Sequence, residues 1–187
     1  MEVIDKLRRC SWCTQDFEYI KYHDTEWGVP IYDDNKLFEL LTLEGAQAGL
    51  SWLTVLKKRQ AYRQAFHNFD IEKVAKLNTL DVDKLIINDG IIRNRLKIQS
   101  VVKNAQAILD IAKQHGSFNS YLWRYVTDKP LNNLQSKHAK DISVILSKDL
   151  KKYGMNFVGP TICFAFMQAS GMINDHSKTC FRYKQLI

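Results

Sequence analysis

The chain has 187 residues, 45% of them hydrophobic and 25% charged, which is typical of a globular protein with one compact domain or two small lobes on one core. No apolar run reaches the roughly 20 residues that span a membrane, and the charged first residues lack the pattern of a secretory signal, so we expect a cytoplasmic protein. The formal net charge of +7 favours an anionic partner such as nucleic acid, although a generic basic surface has the same charge.

Apolar residues recur at helical spacing along most of the chain, which predicts an all-α fold. The pattern is clearest from Arg95 to Lys113 and is followed by Gly116, a typical helix end. The other predicted helices cover residues 35–43, 51–66, 70–77, 81–87, 117–126, 142–153 and 160–170. No alternating strand pattern persists beyond a few residues, and the polar segment 127–140 is predicted to be a loop.

Cysteines and histidines near the two ends of the chain form a candidate metal site. Cys10 and His23 lie near the start, and His176 and Cys180 lie near the end, where their spacing suits one helical face or one tight turn. Two cysteines and two histidines would hold zinc in a closed, structural site. Cys13 competes with Cys10 as first ligand because Cys10-x2-Cys13 is itself a familiar spacing, and scattered residues that never meet would leave the same sequence.

Two further segments could form a pocket for a nucleobase. The stretch from Trp12 to Trp27 is dense in aromatic and acidic residues and too polar for a simple core helix. Residues 44–52 contain Glu44 and two glycines, which suggests a helix end, a tight loop and a new N-cap. Aromatic rings stack on bases, and a carboxylate accepts hydrogen bonds from base N–H groups, as a base flipped from duplex DNA requires. The alternative is that the aromatics are core residues and Glu44 is a solvated helix residue.

Residues 150–161 suggest a helix, a glycine-rich turn and a second helix. Gly159 would let a DNA phosphate approach the backbone, and the free N–H groups that begin the next helix would hold it. Such a helix-hairpin-helix element binds the DNA backbone without reading its sequence. An ordinary corner between two helices fits the same segment.

Together these segments resemble the bacterial DNA-3-methyladenine glycosylase I family, within the helix-hairpin-helix glycosylases. The matching motifs are RCSW (9–12), YHDTEWGVP (22–30), LEGAQAGLSW (43–52), FVGPTIC (157–163) and GMINDH (171–176). They occur in the same order, and the similarity runs from about Arg9 to Cys180. The resemblance implies a helix-hairpin-helix glycosylase fold over residues 1–187, a single domain of two helical lobes on one core with its ends joined by a structural zinc.

The resemblance also implies which residues bind the metal. The zinc ligands would be Cys10, His23, His176 and Cys180. Cys10 matches the family position because it precedes Ser-Trp, which leaves Cys13 as a bystander. Four protein ligands would leave no open position on the metal.

The base pocket that the resemblance implies consists of Trp12, Tyr19, Tyr22, Glu44 and Trp52. Glu44 would contact the alkylated adenine. Gly49 and Leu50 would lie on the loop that enters the gap left by the flipped base, and Gly159 would contact a phosphate. Asp175 lies about where many helix-hairpin-helix glycosylases have a catalytic aspartate, but it is beside a zinc ligand and is assigned no catalytic role.

The activity implied is base excision repair by a monomer that acts on alkylated double-stranded DNA and releases free 3-methyladenine. The alkylated base carries a positive charge and leaves as a neutral molecule, so stacking and an anion would select it. No lysine nucleophile is evident, which predicts hydrolysis of the N-glycosidic bond without strand cleavage. Two other interpretations are a non-enzymatic zinc protein that binds DNA, in which the pocket aromatics would be dispensable, and a zinc hydrolase, which would need an open metal position.

Overall fold

The computed structural model describes residues 7–132 and 136–186, which are mostly helical. The α-helices are α1 (Phe17–Thr25), α2 (Asp34–Ala46), α3 (Trp52–Ala65), α4 (Ile71–Val74), α5 (Thr79–Leu85), α6 (Arg95–His115), α7 (Phe118–Trp123), α8 (Ser136–Lys152) and α9 (Pro160–Ala169). Short 3-10 helices cover His67–Phe69, Arg124–Val126 and Tyr183–Leu186, and the two-residue strands β1 (Leu131–Asn132) and β2 (Ile173–Asn174) pair in parallel. Apart from this one short pairing, the predicted all-α fold is confirmed. Within these ranges, no helix has both the length and the apolar character to cross a membrane.

Capping residues set several helix ends close to their predicted positions. Ser51 precedes α3 and its hydroxyl accepts the Thr54 N–H at 3.2 Å. Asn94 caps α6 in the same way, and Gly116 ends that helix with a φ of 85°. The predicted helix 70–77 is shorter, because α4 ends after four residues at Val74.

The segment that looked too polar for a simple core helix does contain a helix, α1, which Asp16 caps. It buries only Tyr22 and His23, so it is not a core helix. The predicted loop 127–140 is wrong in part, because α8 already begins at Ser136. In this first turn Lys137 and His138 are exposed and Ala139 is buried completely, so the helix begins inside the segment whose local composition favoured a loop.

The central helix is α2, which packs against α3, α6, α7 and α9. Every residue from Leu40 to Ala46 is buried. A Cβ on Gly45 would lie 3.1 Å from the Cβ of Phe157, so this glycine lets the turn between α8 and α9 pack directly on α2. The turn therefore lies next to Glu44.

The two ends of the described chain meet on one side of the molecule. Gly171 follows α9 with a φ of 75°, and a Cβ there would lie 2.4 Å from the Pro30 nitrogen, so only glycine permits this crossing. Beyond it, the Phe181 N–H donates to the Arg8 carbonyl at 2.9 Å. The buried apolar residues form one cluster that extends from Cys10 to Cys180.

Candidate active site and metal centre

The four predicted metal ligands form one buried cluster, and their ligand atoms all lie within 4.8 Å of one another. Cys180 Sγ is 3.4 Å from both His23 Nε2 and His176 Nδ1. Cys10 Sγ is 3.5 Å from His176 Nδ1. A tetrahedral zinc ion, with bonds of about 2.3 Å to sulfur and about 2.0 Å to nitrogen, separates these ligand atoms by about 3.5 Å. Cys10, His23, His176 and Cys180 could therefore hold a metal ion.

Hydrogen bonds behind the cluster orient both imidazoles. His23 Nδ1 lies 2.7 Å from an Asp24 carboxylate oxygen, and Asp24 in turn pairs with Arg9 at 2.6 Å. His176 Nε2 lies 3.1 Å from the carbonyl of Trp27. Each contact occupies one ring nitrogen as a donor and leaves the other facing the cluster, the arrangement that typically supports metal-bound histidines.

The protonation of the cluster follows from its burial. Burial lowers the pKa of His176 to about 4 and also lowers the pKa of His23, so both imidazoles are neutral and able to bind metal at neutral pH. Burial raises the pKa of the Cys10 thiol to about 11. A cation in the cluster would favour its thiolate, the form that binds metal.

The structure decides two points that the sequence left open about the cluster. His176 and Cys180 lie in a turn, in which the Cys180 N–H donates to Ser177 at 2.8 Å, rather than on a helical face. Cys13 is half-buried, and its thiol donates to the Thr14 carbonyl at 3.7 Å. The cluster therefore contains Cys10 and not Cys13.

A cavity of about 300 Å³ lies beside this cluster of cysteines and histidines. It is lined by Trp12, Tyr19, Tyr22, Trp27, Glu44, Gln47, Trp52, Ala165, Gln168 and Asp175. Two of its rings also touch the cluster. The centroid of Trp12 is 5.2 Å from that of His23, and the centroid of Trp27 is 4.5 Å from that of His176.

All five residues of the predicted base pocket thus line a single cavity. The sequence prediction missed Trp27, Gln47 and Gln168 as lining residues. The first two lie within the aromatic and glycine-containing segments, which could have indicated them. Nothing in the sequence pattern distinguishes Gln168, which reaches the cavity because α9 packs against α2.

The aromatic rings of the cavity are tilted against one another. Tyr22 and Trp52 have centroids 5.3 Å apart at 49°, and Trp12 and Tyr19 have centroids 5.6 Å apart at 54°. Such rings form a curved wall and do not stack on each other. The indole N–H of Trp52 is buried and has no acceptor in the described part of the chain, so it is a donor that a ligand could use.

Glu44 is the buried acid of this cavity. It lies in the last turn of α2 and is only 5% exposed. Burial raises the pKa of Glu44 to about 8, so its carboxyl is mostly protonated at neutral pH. None of the lining residues is a lysine or arginine, so a cation must come from outside to stabilise the carboxylate.

Asp175, which has no predicted role, is also at the cavity. It is half-buried, and its carboxylate accepts a hydrogen bond from the Gln168 amide at 2.6 Å. Burial raises the pKa of Asp175 as well.

A larger cavity of about 660 Å³ also touches Tyr22 and Trp52. Both of its arginines are paired, Arg59 with Glu26 and Arg63 with Glu39, and it is also lined by Lys36 and Asp33. The larger cavity therefore has acidic and basic residues in equal number, whereas the smaller one has acidic residues and no lysine or arginine among its lining residues.

The turn between α8 and α9 exposes backbone. Gly159 caps α9, and a Cβ on it would meet no atom within 4 Å. Pro160 occupies the first helical position, and the N–H groups of Thr161 and Ile162 that follow have no acceptor within the helix. Further along α9, Ala165 faces the cavity, so one helix connects the turn with the cavity.

The loop from Gln47 to Leu50 lies at the edge of the cavity. Gln47 and Trp52, on either side of its tip, both line the cavity. Gly49 has a φ of 79° and no neighbour within 4 Å of a Cβ, and the side chain of Leu50 is 40% exposed. The tip of the loop therefore projects into solvent.

The mostly helical fold thus combines a small aromatic cavity that contains a buried acid with an exposed turn between two helices. Residues 12–183 match the family described as methyladenine glycosylase. The chain is 49% identical over 177 residues to the DNA-3-methyladenine glycosylase of Haemophilus influenzae, which covers 92% of this chain and 96% of that relative. It is 48% identical over 186 residues to DNA-3-methyladenine glycosylase 1 of Escherichia coli, with 95% and 97% covered.

Solved structures agree with this relationship. This chain superimposes on the structure of the Staphylococcus aureus 3-methyladenine DNA glycosylase I with a TM-score of 0.88 at 43% identity, covering 96% of this chain and 98% of that chain. That structure was solved to show how the Staphylococcus aureus enzyme recognises 3-methyladenine. This chain belongs to the methyladenine glycosylase family. The predicted family is confirmed, and so is the prediction of an enzyme that acts on N-glycosyl bonds.

Proposed function

We propose that this protein removes 3-methyladenine from alkylated double-stranded DNA by hydrolysing the N-glycosidic bond, as a base excision repair enzyme. The observation that carries the proposal is Glu44, a buried carboxyl in an aromatic cavity without a lining cation. A flat cationic ring satisfies both features, because it stacks on the aromatic residues and supplies the missing positive charge. Alkylated adenine is such a ring, and the relatives from Haemophilus influenzae and Escherichia coli are named as DNA-3-methyladenine glycosylases.

The protonation of Glu44 provides the selectivity. At neutral pH the free enzyme holds a proton on this carboxyl because its pKa is about 8. A cationic base within a few ångströms lowers the pKa of a carboxyl and favours the carboxylate. Normal adenine is neutral and gives no such stabilisation, so it binds to the protonated, uncharged pocket more weakly.

The bond to the sugar then breaks with little help from acid catalysis. The electron pair of the bond between the anomeric carbon and the base moves into the ring, which leaves as a neutral molecule. Water adds its oxygen to the anomeric carbon and loses a proton to solvent. None of the described residues that line the cavity is a lysine, so water would be the nucleophile and the strand would stay intact.

Two exposed elements would hold the DNA around the cavity. The backbone at Gly159 and the free N–H groups at the start of α9 would bind a phosphate, whatever the base sequence. The loop with Gly49 and Leu50 would enter the gap that the flipped base leaves in the duplex. Both elements adjoin helices that line the cavity, which supports this arrangement: Gly159 caps α9, which carries Ala165, and the loop follows α2, which carries Glu44.

We further propose that Cys10, His23, His176 and Cys180 bind a structural zinc ion. The donor set of two thiols and two imidazoles suits zinc, and the spacing of about 3.5 Å between sulfur and nitrogen suits its tetrahedral geometry. Four protein ligands leave no site for water or substrate. Bound zinc would connect the segment before α1 to the turn after β2. We also propose that the chain forms a single domain of two lobes, because its buried apolar residues form one cluster.

One assay tests the activity directly. The protein is incubated with duplex DNA treated with a methylating agent, and the released bases are separated and identified. We expect 3-methyladenine in the supernatant and intact strands carrying abasic sites. Release of no base, or immediate strand breaks without alkali, would overturn this function or its monofunctional mechanism respectively.

A further inference from the structure

A lysine from a distant helix holds the loop 47–50 in place. Lys97 lies in the first turn of α6, and its ammonium donates to the carbonyl of Ala46 at 2.9 Å and to that of Ala48 at 2.7 Å. Ala46 is the last residue of α2, and the final carbonyls of a helix have no N–H donor of their own. A cation at this end of a helix is also favoured by the helix dipole.

The two carbonyls of this contact lie on either side of Gln47. The first belongs to the helix that carries Glu44, and the second to the loop that carries Leu50. On the far side of the loop, Ser51 caps α3. The tip at Gly49 is therefore fixed at both of its ends while it stays open to solvent.

Lys97 is not an ordinary surface lysine. It is half-buried and shares a small cavity with Thr42, Tyr62 and Ser100. Burial lowers the pKa of its ammonium, and no ion pair within residues 7–132 and 136–186 contains it. Its ammonium donates to two backbone carbonyls, and not to a carboxylate as in a surface ion pair.

We propose that Lys97 is a positioning residue that holds the loop 47–50 in the conformation that enters the duplex. The inference rests on the proposed function, because only a base-flipping enzyme has a gap for Leu50 to fill. A loop that is already ordered in the free protein loses less conformational entropy when it binds. Lys97 thus orders the loop before DNA binds, so that DNA binding does not have to order it.

The test compares Lys97→Met with Lys103→Met. Both changes remove one positive charge from α6, but Lys103 is exposed and lies far along the helix from the loop contact. Three quantities are measured: the single-turnover rate of 3-methyladenine release from duplex DNA, the affinity for a duplex with an abasic-site analogue, and the affinity for free 3-methyladenine from tryptophan fluorescence.

For Lys97→Met we expect the release rate and the abasic-duplex affinity to fall about tenfold, as when one charged hydrogen bond is lost. Free-base affinity should stay within about twofold, because Gln47 is the one residue of the loop among the lining residues, while Glu44 and the aromatic residues lie outside the loop. Lys103→Met should leave the release rate unchanged. This split between DNA and free base is not expected from general destabilisation, which lowers all three quantities together.

Several results would overturn the positioning role. One is an unchanged release rate in Lys97→Met, and another is a parallel loss of free-base affinity, which would assign Lys97 to the pocket. If Lys97→Met does not fold, Lys97→Arg decides, because its longer, planar head keeps the charge but places the donors differently, and it should show the same split at about threefold. A wild-type protein that releases no base would be a separate result, and it would refute the proposed function itself.

Discussion

The Cys10–His23–His176–Cys180 cluster and the aromatic cavity with Glu44 lie side by side, but they differ in whether their buried polar side chains have partners. In the cluster each side chain has partners: His23 contacts Asp24, His176 contacts the Trp27 carbonyl, and Cys10 Sγ accepts the Ser177 N–H at 3.4 Å. In the cavity Glu44 is buried without a cation among the lining residues. In our proposal the first region fixes the ends of the chain, while the second keeps a buried carboxyl protonated until a cationic ligand arrives.

The two regions share a wall, so experiments must test whether their roles are separate. Trp12 and Trp27 each contact a histidine of the cluster and also line the cavity. If the division of roles is correct, damage to the cluster changes stability and damage to the cavity changes chemistry. The experiments below are ordered by the size of the effect expected.

Cys180→Ser should have the largest effect, on stability. Removal of one thiolate from a closed four-ligand site releases the metal, and we expect the free energy of unfolding to fall by on the order of 3 kcal/mol or more. Metal content by mass spectrometry and thermal melting measure the change. A wild-type protein purified without metal, with the same melting temperature as the variant, would refute a structural zinc.

Glu44→Gln should have the next largest effect, on chemistry. Loss of a charged hydrogen bond costs on the order of 1.5–3 kcal/mol, so release of 3-methyladenine should slow by about one to two orders of magnitude. The variant should fold and retain its metal, and free-base affinity should weaken in parallel. Glu39→Gln, on the same helix but in the larger cavity, is the matched control and should keep the wild-type rate. An unchanged rate in Glu44→Gln would mean that the base binds elsewhere.

The same variant should also be more stable than the wild type in alkaline solution. The folded pKa of Glu44, about 8, lies above the ordinary value of 4.5, so folding favours its protonated form. The stability that this carboxyl contributes is fully present below about pH 4.5 and is lost as the pH rises through 8. Between pH 5 and pH 8 the wild type should lose on the order of 3 kcal/mol of unfolding free energy relative to Glu44→Gln, as measured by chemical denaturation. Parallel stability curves would show that Glu44 titrates normally.

Gly159→Leu should weaken DNA binding by about five- to tenfold for every sequence alike, because the side chain blocks a phosphate from the backbone. The position has an ordinary φ of −64° and open space around it, so the fold should tolerate the change. Gln60→Leu, which adds the same side chain at an exposed position of α3, should bind normally. Full affinity in Gly159→Leu would exclude a phosphate contact at the hairpin.

Cys13→Ser should have the smallest effect, with metal content and melting temperature unchanged. Its thiol faces the Thr14 carbonyl and lies outside the cluster. Loss of zinc in this variant would mean that the first ligand is Cys13 and not Cys10.

The sequence by itself predicted what depends on neighbouring residues. The stripe from Arg95 to Lys113, the cap at Ser51 and the glycine after α6 are local signals, because helical periodicity and capping act within a few residues. The order of five motifs indicated the family. With the family came Glu44 and the aromatic residues, which no spacing alone distinguishes from core residues.

Only the tertiary structure decided what depends on contacts between distant parts of the chain. Cys10 meets His176 across 166 positions, and Lys97 reaches Ala48 across 49. Gln168 reaches the cavity, and α1 is a helix despite its polar composition, because other elements pack against them. Packing of elements that are far apart in sequence leaves no periodic pattern, since each contact involves two residues whose local surroundings are independent of one another.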